Sequence, residues 1–131
     1  MSNHCCLEFQ TAVDKYLVRH RSVLDILTKY QEATARVNRA FAKAVTECGC
    51  VQIHAAKQEA PCDTNFSDLK QFMSSHTAGT ICPSCQDVVS RELGRSMFYL
   101  TALCNLTGLE LREVMQQECK TVTTLGFYHL S

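Results

Sequence analysis

Two close pairs of cysteines constrain this chain more than any other feature. The first lies in Thr46-Glu47-Cys48-Gly49-Cys50 and the second in Gly79-Thr80-Ile81-Cys82-Pro83-Ser84-Cys85, with about 31 residues between the pairs. A tetrahedral ion such as zinc accepts four thiolates, and each pair offers two corners from one short turn. Cys82-Pro83-Ser84-Cys85 has the C-x-x-C spacing of a metal knuckle. Cys48-Gly49-Cys50 is tighter, and its glycine lets both sulfurs turn to one side. Cys48, Cys50, Cys82 and Cys85 are therefore the candidate metal ligands. Zinc is the first choice. An iron–sulfur cluster is the second, because it too is held by four thiolates. The competing reading is four thiols at accidental spacing. His54 and His76 flank the pairs, as substitute ligands or as groups that support the ligands from outside.

Convergence of the four sulfurs requires the segment entering the first pair and the segment leaving the second to end side by side. The pattern of the chain agrees. The first 48 residues contain neither glycine nor proline, which favours helix. Leu7, Val13, Tyr16, Leu17 and His20 predict a helix over about 6–20. Ser22, followed three residues later by Asp25, predicts a break and a new helix start. Val23, Leu27, Tyr30, Ala33, Thr34, Val37, Phe41, Ala44 and Val45 then form one stripe of a second helix over about 23–48, ended by Gly49. After a loop at 57–65, a short helix is expected through Phe66, Leu69, Phe72 and Met73, with a turn at 74–80. Pro83 opens a long helix to about Leu106. Its expected inner face is Val88, Val89, Leu93, Met97, Leu100, Leu103 and Cys104. Gly108 ends it, a last helix follows over about 110–122, and the tail at 124–131 is apolar enough to pack back onto the body. The expected fold is all-α: residues 1–131 form a single helical domain, an antiparallel bundle, with 48–85 as its metal-binding connector.

Bulk properties exclude several roles. The chain has 131 residues, enough for one substantial core, and 13 basic against 13 acidic residues, for a net charge of zero. That balance argues against nucleic acid or an anionic membrane surface as a partner. There is no apolar run long enough to span a bilayer, and the first residues lack the pattern of a signal peptide. Nine cysteines is an odd number, set among long helical patterns. The expectation is a reducing, cytoplasmic setting, with cysteines as ligands and small core residues. Cys104 reads as core, Cys119 as structural or surface, Cys62 as an exposed loop thiol, and Cys5 and Cys6 as part of a mobile N-terminus or as a redox or metal pair.

Glu92-Leu93-Gly94-Arg95-Ser96-Met97-Phe98-Tyr99-Leu100, followed by Gly108-Leu109-Glu110-Leu111, resembles the MazG-like all-α nucleoside triphosphate pyrophosphohydrolases over about 25 residues. The resemblance implies a helical bundle that self-associates, so a homodimer is expected. It also implies a site where E-x-x-E and E-x-x-D motifs on facing helices hold Mg²⁺. This chain has Glu92-x-x-Arg95 in the second motif, and past its first turn the facing helix has only Glu32 before Glu47 and no E-x-x-E. A cation in place of an acid repels Mg²⁺. The first expectation is accordingly a non-catalytic, zinc-binding helical protein that serves as a binding or regulatory module. The alternatives are an active pyrophosphohydrolase with a rearranged metal site, and a cysteine-based redox or metal sensor. Arg36, Arg39 and Lys43 lie on one side of the second helix, either as a pocket for a nucleotide or other phosphate or as a solvated face. Glu92 falls on an apolar arc, where it either needs a partner or lies at the arc's edge and reaches water. Arg36 or Arg39 is the expected partner.

Overall fold

The computed structural model describes residues 3–128. Four α-helices carry the fold: α1 (Asn3–Tyr16), α2 (Val23–Lys43), α3 (Pro83–Thr107) and α4 (Leu111–Leu125). Between α2 and α3 lie two short strands, β1 (Val51–Ile53) and β2 (Thr77–Gly79), and a 3₁₀ turn at Phe66–Phe72. Among the described residues, no helix is long and apolar enough to cross a membrane.

The main packing is α2 against α3, with α1 laid on α3 and α4 on α1. Two contacts show that α2 and α3 run antiparallel. Near one end Ile26 shares a buried cluster with Ala102, and at the other Cys48 lies beside Cys82. The cluster contains Val13, Leu17, Ile26 and Ala102, with Phe9, Phe98, Tyr99 and Leu103 packed around it.

The buried seam of α2 is Ile26, Ala33, Ala40 and Ala44, with Tyr30 and Val37 half-buried between them. These positions alternate by three and four, the spacing of two helices crossing at a shallow angle. Three of the seam residues are alanines, which let the backbones approach closely. The apolar stripe expected from the sequence is centred to one side of this seam: Tyr30, Ala33, Val37 and Ala44 belong to it, but Val23, Leu27 and Phe41 are exposed. A similar shift occurs on α3, where Cys104, Ala102 and Thr101 are buried while Val88, Leu93 and Met97 are exposed.

Helix α1 ends at Tyr16, not near 20. The Arg21 guanidinium folds back over its carboxyl end, donating to the carbonyls of Leu17 and Asp14 and bonding the Asp14 carboxylate at 2.9 Å. This supplies partners for carbonyls that the helix itself leaves open. Of the stripe expected for this helix, Val13 and Leu17 are buried, whereas Leu7, Tyr16 and His20 are exposed. Ser22 caps α2 as expected, its hydroxyl accepting from the Leu24 N–H at 3.3 Å. Gln10 joins α1 to the α3–α4 turn: its amide donates to the Leu109 carbonyl at 2.7 Å and accepts from the Leu111 N–H at 2.9 Å. Helix α4 continues to Leu125, and a 3₁₀ turn follows at Gly126–Tyr128. Phe127 and Tyr128 are exposed, so this part of the expected packed tail lies on the surface. Residues 129–131 lie outside the described residues.

Candidate metal centre

Past Lys43 the helical ladder of α2 widens by one residue. Ala44–Cys48 forms a π-helical turn, closed by the Gly49 N–H donating to the Ala44 carbonyl at 2.9 Å. Gly49 then turns left-handed at φ 79°, a conformation that costs glycine little. The reversal brings Cys50 back toward the helix end, where its thiol lies 3.8 Å from the same carbonyl.

The chain leaves Cys50 as β1, which pairs antiparallel with β2 in the register Val51–Gly79, Gln52–Ala78 and Ile53–Thr77. The His54 N–H extends the ladder by bonding the His76 carbonyl at 2.9 Å. The sequence reading left 51–54 undecided and made 74–80 a turn; this ribbon resolves both. It aligns the two ends of the connector directly beside the cysteines. Gly79 is needed for that approach: its φ is 82°, and a Cβ there would stand 2.6 Å from the Cys50 carbonyl oxygen. Three residues later Cys82 caps α3, its sulfur accepting from the Cys85 N–H at 3.4 Å, with Pro83 in the first turn.

These turns bring Cys48, Cys50, Cys82 and Cys85 together, with all four sulfurs within 4.8 Å of one another. Cys48 Sγ and Cys82 Sγ are 3.8 Å apart. Four sulfurs at the zinc–thiolate distance of about 2.3 Å stand about 3.8 Å apart along each edge of a tetrahedron. The cluster can therefore hold one metal ion. Neither histidine joins it: the His54 ring is bonded to the Gln52 side chain at 3.2 Å, and His76 stands at φ 59° in the ribbon's last turn.

The thiols differ in acidity. The Cys85 N–H bonded to its sulfur lowers Cys82 to about 7, and the N-terminus of α3 lies behind it. Cys85, whose thiol donates to Cys82, is pushed up to about 12. Ligation of a cation by all four sulfurs would displace the protons that the thiols still hold.

No known protein family, curated protein or solved structure matches this chain.

A second feature lies along the α2–α3 seam. Lys29, Glu32, Ala33, Arg36, Arg95 and Tyr99 line a cleft of about 320 Å³. Glu32 is paired with Arg36 at 3.3 Å and Lys29 at 3.8 Å. Glu92 lies 4.0 Å from Arg95, and not within ion-pair distance of Arg36 or Arg39 as expected. One Glu92 carboxylate oxygen is buried with no hydrogen-bond partner. Arg39 and Lys43 are exposed and outside the cleft. The sequence reading passed over Lys29 and Tyr99. Lys29 stands two turns before Arg36 on the same face of the helix, and that spacing was the available signal.

Proposed function

We propose that this chain is a zinc-stabilised helical module that binds an anionic ligand without catalysing its hydrolysis, on a MazG-like scaffold. The observation that carries the zinc assignment is the convergence of four thiols within 4.8 Å, with no other ligand type in the group among the described residues. Four sulfurs this close suit a single ion. A cluster would insert several irons and bridging sulfides between them. Its position joins the carboxyl end of α2 to the amino end of α3, which is a structural role.

The ligand class follows from the cleft. Lys29, Arg36 and Arg95 outnumber its one lining carboxylate, Glu32. The two arginines offer planar donor forks suited to phosphate or carboxylate. Tyr99 adds an aromatic face, and the volume falls at the lower end of the roughly 300–1,000 Å³ typical of small-molecule sites. Glu32 and Glu92 each have a protein cation beside them, which disfavours Mg²⁺ and with it the pyrophosphohydrolase chemistry.

Two assays on one preparation test the reading. Elemental analysis should find about one zinc per chain. A panel of nucleoside triphosphates should bind in magnesium-free buffer without chelator and release no pyrophosphate when Mg²⁺ or Mn²⁺ is added. Robust magnesium-dependent hydrolysis would overturn the non-catalytic assignment, and absence of zinc would overturn the structural one.

A further inference from the structure

Sulfur gathers at a second place in the fold. Cys6 of α1 and Met115 of α4 meet across the two helices, the thiol donating to the thioether with 3.8 Å between the sulfurs. Both line a groove of about 230 Å³, and Cys5 of α1 and Met97 of α3 line it with them. Two thiols and two thioethers, drawn from three helices, thus border one small space.

The remaining lining is apolar. Phe9, Gly94 and Leu111 complete it, so no lining side chain carries oxygen or nitrogen among the described residues. Cys6 is 8 % exposed, whereas Met97 is 56 % and Met115 39 % exposed. The groove therefore combines a buried thiol with thioethers that solvent reaches. At Gly94 an added Cβ would meet nothing within 4 Å, so bare backbone leaves room there.

These donors differ in kind from the four thiols at the α2–α3 end. Zinc takes thiolate, imidazole and carboxylate ligands. A thioether is neutral and soft, and it adds nothing to offset the charge of a divalent ion. Thiolate and thioether together favour copper(I). Charge decides in the same direction. One thiolate exactly balances a monovalent cation, and an apolar groove penalises any charge left uncompensated. Geometry is compatible as well. Three sulfurs at a metal–sulfur distance of about 2.3 Å stand about 4 Å apart in a trigonal plane, close to the separation of Cys6 Sγ and Met115 Sδ.

We propose that this groove binds a soft monovalent metal ion of the copper(I) class, held by the Cys6 thiolate and the thioethers of Met115 and Met97. Binding replaces the thiol proton of Cys6, which leaves to solvent, and no electron is transferred. The adjacent thiols Cys5 and Cys6 are explicit in the sequence, but the thioethers that set the metal class join them only through the packing of α3 and α4 on α1. The site is separate from the four-cysteine centre and does not depend on what that centre holds. An ion there ties three helices together through one atom.

The test is an oxygen-free titration of the full, zinc-loaded chain with copper(I), supplied as its acetonitrile complex, with the methionine methyl groups carbon-13 labelled for NMR. At one equivalent the methyl signals of Met97 and Met115 should shift, while that of Met73, in the connector, should not. These signals separate copper in the groove from copper that attacks the four-cysteine centre. Competition with a coloured copper(I) chelator gives the affinity. Met115→Leu keeps the apolar volume and should weaken binding of the first equivalent by at least about tenfold. Cys6→Ser should weaken it further, and Cys62→Ser, at an exposed loop thiol, should leave it unchanged. Circular dichroism reports folding, and Met115→Leu keeps the test decisive if Cys6→Ser fails to fold. Met97 and Met115 signals that stay fixed at one equivalent would overturn the site, leaving a packing contact between thiol and thioether. Wild-type copper affinity in Met115→Leu would overturn it too.

Discussion

Gly79 and Cys82 do their work through backbone geometry. At Gly79 a side chain would collide with the Cys50 carbonyl and would have to adopt a left-handed backbone. Gly79→Ala should therefore cost about 2–4 kcal/mol in thermal or denaturant unfolding, and the variant should also retain less metal. At Cys82 the hydrogen bond from Cys85 N–H holds the sulfur near 7, well below an ordinary thiol, while Cys85 sits near 12. In chelator-treated protein, iodoacetamide should modify Cys82 first among the four. Its rate should fall as pH drops below 7, because the protonated thiol is unreactive, and level off above that value. Cys85 should resist modification across the neutral range, and loading with metal should protect both. Peptide mapping after timed alkylation reads all of this. Arg36→Ala and Arg95→Ala should each weaken anion binding to the α2–α3 cleft by about tenfold, the worth of one charge-assisted contact, as measured by calorimetry.

At the scale of elements, Gln10 is the most consequential link outside the metal centre. It satisfies a carbonyl in the turn and the first N–H of α4. Gln10→Ala should destabilise the protein by about 1–2 kcal/mol, measurable by urea denaturation. Nothing in the sequence marked this contact, since a polar residue on a helix shows its partner only after folding. Helix existence and most ends were legible, because Gly49, Pro83 and Gly108 terminate or open helices by local backbone rules. The end of α1 was not, because Arg21 stops it by reaching back in space. Helix faces were read about one residue off. Three residues of the α2 seam are alanines, which carry little hydrophobic weight but allow close contact, and the larger Leu27 and Phe41 drew the reading to the flank. The four cysteines were legible for the opposite reason: metal ligation depends on residue type and spacing, and both are explicit in the sequence. The cleft was only half legible, since Arg36 was singled out but Lys29 and the pairing of Glu92 depend on how α2 and α3 meet.

For the whole molecule, the metal centre and the β1–β2 ribbon close a connector of about 31 residues whose own packing is poor. The 3₁₀ turn at Phe66–Phe72 buries no residue. Such a loop adds little to holding its ends together beyond the β1–β2 ribbon, and a metal bound by the four thiols would cross-link them. Closing it should contribute about 4 kcal/mol in chain entropy, so stripping the metal should lower the melting temperature by about 10 °C or more. Differential scanning calorimetry with and without chelator checks this. An ion bound there would also anchor the end of the α2–α3 pair opposite Ile26 and Ala102 and so help to fix the shape of the cleft between the two helices. The centre is therefore the claim on which the rest depends. Zinc-edge X-ray absorption on the purified protein tests it most directly. The prediction is four sulfur neighbours at about 2.3 Å and no nitrogen or oxygen in the first shell. A shell containing nitrogen or oxygen would contradict it, as would an iron edge with a metal–metal distance, or no bound metal at all.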